Sequence, residues 1–374
     1  MIAQRMIHLN PYKPGEQPKD REYIKLNANE NPFPPPKEVV DSIKKFTEDA
    51  PMKMALYPDP ESVALKEAIA KHLNATGGVL ARVQPLSKKL SAENIFVGNG
   101  SDEVLSFVFY AFFDEKQPLI VPEHTYSFYP VYAGYYGIPL DKVPLCKDFS
   151  LNIDTMLAKM GTTQEPTASG MIFANPNAPT ALSLSVQQIE KILQNYPKNR
   201  VLVVDEAYMD FGKESALPLV DKYNNLLIVR TFSKSLSFAG MRLGYAVGNT
   251  ELIQALTVAK NSFNHFPVDA LTQNAGIAAC QALTYYQKNT QEIVAIRDDF
   301  ICFLREKGWK VADSDTNFVL AKKEGLTGES IYQKIKEQGI LVRYFAIPLI
   351  DEYVRISIGS KEQMESLKSV IATF

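Results

Sequence analysis

Four short apolar runs, residues 118–121, 171–174, 201–204 and 226–230, recur along the middle of the chain, each ending on polar or small residues. They are too short for buried helices and suit strands covered on both faces, since the last two are almost wholly Val, Leu and Ile. Stretches of helical spacing lie between them, with residues 185–195 as one crossover. Strands alternating with helices fold as a mostly parallel sheet flanked by helices, and such sheets bind ligands beyond the carboxyl ends of their strands. A further strand at 94–97 leads into Gly98-Asn99-Gly100-Ser101-Asp102-Glu103 and an apolar helix over 104–113. That order points free backbone N–H groups at an anion.

A chain of 374 residues is too long for one ordinary core. From about residue 292 the pattern changes to a helix, strands at 309–312, 317–321, 340–343 and 354–358, a helix over 328–338 and a last helix. This reads as a smaller α+β lobe. Prolines at 11, 14, 18, 32, 34, 35 and 36 make residues 1–36 an extended arm, broken by the turn Leu26-Asn27-Ala28-Asn29-Glu30-Asn31-Pro32. A second turn at Tyr57-Pro58-Asp59-Pro60 precedes a helix over 62–73, residues 77–91 form a basic surface excursion, and 250–288 has helical character. The expected division is 1–50 (arm and part of the small domain), 51–285 (large domain) and 286–374 (small domain). The formal net charge of −2 gives no reason to expect nucleic acid or an anionic membrane as partner. Cys146, Cys280 and Cys302 are scattered without metal spacing, so no metal site is expected and a reducing compartment suits the chain. With no apolar leader and no membrane-length apolar run, the expectation is a cytoplasmic protein.

The chemistry gathers at three strand ends. Asn175-Pro176-Asn177 follows one, Asp205-Glu206-Ala207-Tyr208 the next, and Thr231-Phe232-Ser233-Lys234 with Ala239-Gly240-Met241-Arg242 the third. A lysine after a strand is ordinarily a solvated charge, and an aspartate there can simply cap a helix. Together they are more specific. A lysine held away from water can lose its proton and attack a carbonyl. A carboxylate can keep a pyridine nitrogen protonated, and hydroxyls, an arginine and a helix amino terminus can hold a phosphate.

Seven motifs in order carry a resemblance over nearly the whole chain: Tyr57-Pro58, Gly100-Ser101-Asp102-Glu103, Thr125-Tyr126, Asn175-Pro176-Asn177, Asp205-Glu206-Ala207-Tyr208, Ser233-Lys234 through Arg242, and Thr316-Asn317-Phe318. The chain resembles the fold type I pyridoxal-phosphate aminotransferases and, within them, the histidinol-phosphate aminotransferases. The resemblance implies catalytic roles for Lys234, as the lysine bonded to pyridoxal 5'-phosphate, Asp205, against the ring nitrogen, and Tyr208. Asn175 and Tyr208 would contact the ring's 3-oxygen, and Tyr126 would stack on the ring. Ser101, Asp102, Thr231, Ser233 and Arg242 would hold the phosphate, with Tyr57 reaching it from the neighbouring subunit of a homodimer. Arg355 would bind the carboxylate or phosphate of the substrate, and Arg343, Tyr12 and Asn29 its distal group. The implied reaction converts L-histidinol phosphate and 2-oxoglutarate to imidazole acetol phosphate and glutamate, in histidine biosynthesis. Alternatives on the same scaffold are an aromatic amino-acid aminotransferase and a threonine-phosphate decarboxylase; a non-catalytic binding module is a third. Ala178 and Ala181 stand where the family pattern has asparagine and glycine.

Overall fold

Every residue of Gly170–Ala174, Leu202–Asp205 and Leu226–Thr231 is buried, which is why these segments are apolar in both registers instead of alternating. The computed structural model describes residues 1–80, 86–212 and 214–374. Part of the surface excursion expected at 77–91, residues 81–85, lies outside the described residues.

The arm contributes β1 (Ile24–Lys25). A seven-stranded sheet follows from β2 (Ile95–Asn99), β3 (Leu119–Pro122), β4 (Leu140–Val143), β5 (Gly170–Ala174), β6 (Leu202–Asp205), β7 (Leu226–Thr231) and β8 (Leu243–Gly248), in the order β2-β8-β7-β6-β5-β3-β4. From β7 to β4 the pairing is parallel, as the crossover pattern dictates, while β8 runs antiparallel to both β2 and β7. Neither β8 nor β4 was expected. Leu243-Gly244-Tyr245-Ala246-Val247-Gly248 is broken by glycines and owes its strand to pairing on both sides. β4, Leu-Asp-Lys-Val, is a partly exposed edge with little apolar signal.

The smaller lobe is built from β9 (Trp309–Val311), β10 (Phe318–Lys323), β11 (Ile340–Leu341), β12 (Arg343–Tyr344) and β13 (Val354–Ser357). Four of these form an antiparallel sheet ordered β12-β13-β10-β9, and β11 pairs in parallel with β1. The arm is thus stitched to this lobe by backbone. A 24-residue helix, Leu283–Glu306, runs across the expected 285/286 boundary. Tyr286 at its start joins the core under the large sheet, whereas Ile293, Phe300 and Leu304 join the core of the smaller lobe. The helix Lys37–Asp49, not foreseen in the arm, packs on helix Ala270–Gln281. Among the described residues no helix is long and apolar enough to cross a membrane.

β5, β6 and β7 pair in register, Ala174 opposite Asp205 and Asp205 opposite Val229. Their carboxyl ends are therefore level, and side chains one or two residues beyond them meet in one place.

Candidate active site

Two adjoining cavities lie at these strand ends. The inner one, of about 270 Å³, is lined by Asp205, Tyr208, Thr231, Ser233, Lys234 and Arg242 from the level strand ends, by Ser101 and Asp102 from the helix after β2, and by Tyr126. The outer one, of about 520 Å³, includes Tyr12 and Asn29 of the arm and Arg343 and Arg355 of the smaller lobe. Tyr126, Tyr208 and Lys234 face both. Every residue singled out from the sequence lines one of the two cavities, except Asn175 and Tyr57.

Asp205 is 4% exposed and accepts from the Tyr129 hydroxyl (2.9 Å) and the Ala207 N–H (3.1 Å). Burial raises its carboxyl from 3.8 to about 6 against the pull of those two donors, with Asp102 and Glu206 adding repulsion. Neither donor carries a charge, so a cation in the inner cavity is the partner this carboxylate lacks. Behind it, Glu206 and Arg230 form a buried ion pair (Nε 2.9 Å, Nη2 2.8 Å), with Ser215 and the Ala216 N–H completing the carboxylate's contacts.

The opposite wall is cut for an anion. The helix Gly100–Phe112 opens here, so its first N–H groups have no partner within the helix. Gly244 on β8 lets the helix come close: a Cβ there would sit 2.2 Å from the Ser101 backbone nitrogen. Gly100, at φ +78°, does the same for Arg242, whose Nη2 would be 2.4 Å from a Cβ at that position. The guanidinium is held there by Asp102 Oδ2 at 2.8 Å, while Oδ1 of the same carboxylate takes the Tyr126 hydroxyl at 2.8 Å. Thr231 donates to the Ser233 hydroxyl at 3.0 Å and accepts from its N–H at 3.1 Å.

Lys234 stands between the cavities. Its Nζ donates to the Ala28 carbonyl at 3.4 Å and lies 5.6 Å from the centre of the Tyr208 ring. Asn31 of the arm donates to the Lys234 carbonyl at 2.8 Å, fixing the backbone from the far side. In the outer cavity Arg343 and Arg355 sit directly opposite one another on β12 and β13, both against the Phe345 ring. Like charges so placed repel. Arg355 donates from Nη2 to the Asn27 carbonyl at 3.0 Å, but its buried Nε has no partner among the described residues. Burial, opposed by Tyr208 and reinforced by Arg343, lowers its pKa. Arg343 is tied to the arm through the Lys13 and Pro14 carbonyls.

Asn175 lies at the end of β5, but its side chain is engaged with the backbone of Leu184 through both oxygen (2.7 Å) and nitrogen (3.3 Å) and does not line either cavity. Tyr57 is 83% exposed and stacked on Phe266 at 4.6 Å, outside both cavities of its own chain. Asn29, read as a substrate contact, has its amide engaged with Tyr208 and Ser357. Ala181 holds φ 68°, the left-handed conformation that the family's glycine adopts without strain, and the Ala178 methyl lines both cavities. Three residues that the sequence did not single out support the site: Tyr129, which donates to Asp205; Tyr132, whose hydroxyl donates to the Asp102 carbonyl at 2.8 Å; and Asn31. The available signal was Tyr129 and Tyr132 three residues apart, on one face of the helix Tyr129–Tyr136 that follows Tyr126.

Comparison with known proteins gives the chain's relatives. The family model described as aminotransferase class I and II matches residues 21–371. The chain is 48% identical over 368 residues to the histidinol-phosphate aminotransferase of Syntrophus aciditrophicus, covering 98% of this chain and 96% of that protein. To the protein of the same name from Acinetobacter baumannii it is 41% identical, covering 95% and 92%. The crystal structure of histidinol-phosphate aminotransferase from Sinorhizobium meliloti in complex with pyridoxal-5'-phosphate superposes with a TM-score of 0.81 at 26% identity, covering 94% of this chain and 92% of that one.

Proposed function

The chain belongs to the class I and II aminotransferases, within their histidinol-phosphate aminotransferase family, and from that premise we propose that it exchanges an amino group between L-histidinol phosphate and 2-oxoglutarate, giving imidazole acetol phosphate and glutamate in histidine biosynthesis. The cofactor is pyridoxal 5'-phosphate, and the inner cavity fits it on two observations. A buried carboxylate, Asp205, lacks a cationic partner, and an anion cradle stands where Cβ atoms at Gly100 and Gly244 would intrude. Lys234 would carry it, Asp205 would face its ring nitrogen, and Tyr208 its 3-oxygen. Ser101, Asp102, Thr231, Ser233 and Arg242 would surround its phosphate, with Tyr126 over the ring. When bound, the group supplies an electron sink for the carbon that loses a proton.

The remaining work belongs to the chain itself. Lys234 Nζ, which lines both cavities, takes a proton from the amine-bearing carbon of the donor in one half-reaction and gives a proton to the keto carbon of the acceptor in the other. Asp205, ionised against a ring cation, keeps that cation protonated. The Asp102 carboxylate is engaged in holding Arg242 and Tyr126 in place, so Asp102 would meet the phosphate through its backbone N–H. Arg355 and Arg343 hold the anionic end of the substrate, with Tyr12 beside them.

The observation that carries the substrate assignment is the opposed pair Arg343 and Arg355, with no ion pair to either among the described residues and one buried guanidinium nitrogen unpartnered. A dianion relieves their repulsion more completely than a single carboxylate does. The protein works as a homodimer in the cytoplasm, with Tyr57 reaching the partner's inner cavity; its exposure and its place in one short run of chain with exposed Met52, Met54 and Leu56 support this. A half-reaction screen tests the reading. The visible absorbance of the loaded enzyme is followed with histidinol phosphate, phenylalanine, tyrosine and threonine phosphate in turn. Histidinol phosphate should bleach it at the lowest concentration; bleaching by phenylalanine but not by histidinol phosphate overturns the assignment and leaves the reaction class standing.

A further inference from the structure

One chain of hydrogen bonds crosses from the smaller lobe to the cavity and is not used by the chemistry above. Ser357 on β13 accepts from the Asn29 N–H at 2.8 Å and donates from Oγ to Asn29 Oδ1 at 2.9 Å. Asn29 Nδ2 donates to the Tyr208 hydroxyl oxygen at 2.9 Å. All three links are buried, and Asn29 is 1% exposed. The direction of each link is chemically constrained. Were the Asn29 amide turned over, the Ser357 hydroxyl would face NH2 and its own proton would lose its acceptor. With the amide as it stands, Tyr208 is forced to accept, and its hydroxyl proton has no acceptor among the described residues. It is left for whatever occupies the cavity beside Lys234.

We propose that Ser357 and Asn29 are positioning residues that fix the direction of the Tyr208 O–H bond, aim its proton at the cofactor's phenolic oxygen, and so lower the pH at which the lysine-bound cofactor gives up its nitrogen proton. This rests on the roles given above to Lys234 and Tyr208. A donor on that oxygen draws off negative charge that would otherwise hold the proton on the neighbouring nitrogen. The other charged and titratable groups around the pair are Asp205, Asp102 and Arg242 across the inner cavity, Glu30 of the arm, Tyr126 from the segment after β3, and Arg355 of β13. None of them bonds the Tyr208 hydroxyl, so Asn29 alone sets its polarity. Ser357 lies two residues beyond Arg355 on the same strand, and so on the same face. The residue that grips the substrate's anion and the one that begins the relay therefore move together.

Asn29→Asp is the decisive variant. It keeps the size, tolerates the positive φ of 53° at this position, and replaces an obligate donor with an acceptor that claims the Tyr208 proton. In the loaded enzyme, the pH midpoint of the change in visible absorbance should rise by about one unit or more. Ser357→Ala, which frees the amide to turn over, should raise it by less, and Ser357→Thr should restore the wild-type midpoint. Circular dichroism confirms that each variant is folded, and Ser357→Ala carries the test if Asn29→Asp is not. Midpoints equal to wild type in folded Asn29→Asp or Ser357→Ala overturn the inference. A wild-type protein with no lysine-linked absorbance at all would instead overturn the reading on which it rests.

Discussion

Asp205→Asn should make the apoprotein more stable and the loaded enzyme worse, and the size of the first effect follows from the structure. The carboxyl is raised from 3.8 to about 6 by burial. Between those two pH values the folded chain binds more protons than the unfolded one, so this group's contribution to stability falls as pH rises through the window. Below about pH 3 the carboxyl is protonated in both states and costs nothing; above about pH 7 the full difference applies, about 3 kcal/mol. Asparagine keeps the shape, accepts from the Ala207 N–H, and can donate to the Tyr129 hydroxyl, which then turns to accept. The assay is urea unfolding of the cofactor-free wild type and variant, followed by far-ultraviolet circular dichroism across pH 4.5 to 8. The variant's advantage should grow from about 1 kcal/mol at pH 4.5 to about 3 kcal/mol at pH 8. With cofactor added, the order should reverse, because the ring cation is the partner Asp205 lacks. An advantage that is absent at pH 8, or that does not change with pH, refutes the argument that Asp205 is a destabilising charge held in readiness.

Other perturbations separate the parts of the site. Glu206→Gln leaves Arg230 charged and buried without its carboxylate, so stability should drop by about 3–5 kcal/mol at neutral pH, read by the denaturant midpoint with an unchanged slope. Gly244→Ala drives a methyl into the Ser101 backbone nitrogen, so the enzyme should lose cofactor on dialysis at least about tenfold faster than wild type, with its fold kept by circular dichroism. Arg343→Ala should lower kcat/KM for histidinol phosphate by roughly 30- to 150-fold, the loss of one charge-assisted contact of about 2–3 kcal/mol, and should affect glutamate far less; equal losses would remove its role at the distal group. Tyr57→Ala should weaken cofactor retention in a protein whose own cavity it does not line; mixing it with a Lys234→Ala variant should then restore partial activity only if subunits exchange residues across the interface.

The legible part of this fold was what local chemistry writes into a run of a few residues. β5, β6 and β7 are buried on both faces and so are continuously apolar, and their strand ends announce themselves by an abrupt turn to polar residues. Asp205 and Lys234 were readable because they stand at or just beyond those ends, and Arg242 because it follows the lysine within the same motif. β8 was not, since Gly244 is there to admit the Ser101 backbone and thereby weakens the strand signal. Tyr129 was not singled out for a related reason. A buried tyrosine looks like packing until the carboxylate it donates to, 76 residues away in sequence, is brought beside it. Asn29 shows the limit most clearly. The family resemblance put it at the substrate's distal group, whereas its amide is engaged by Tyr208 and Ser357, and which of its two amide groups faces Tyr208 is set by Ser357, over three hundred residues away.

The arm is where these long-range dependencies meet. Asn27 gives its carbonyl to Arg355, Ala28 gives its carbonyl to Lys234, Asn29 bridges Ser357 and Tyr208, and Asn31 donates to the carbonyls of Lys234 and Ser235. Four residues of a five-residue stretch thus reach the substrate arginine on one lobe and the reactive lysine on the other, and β1 anchors them to β11 by backbone pairing. An extended segment with no core of its own has little reason to hold one conformation unless both sides grip it. A change in the spacing of the lobes must therefore be felt first at these contacts. Of these contacts, the Lys234 Nζ link at 3.4 Å is the longest and the easiest to release. That ordering is what a lysine that must leave its resting place to move a proton requires.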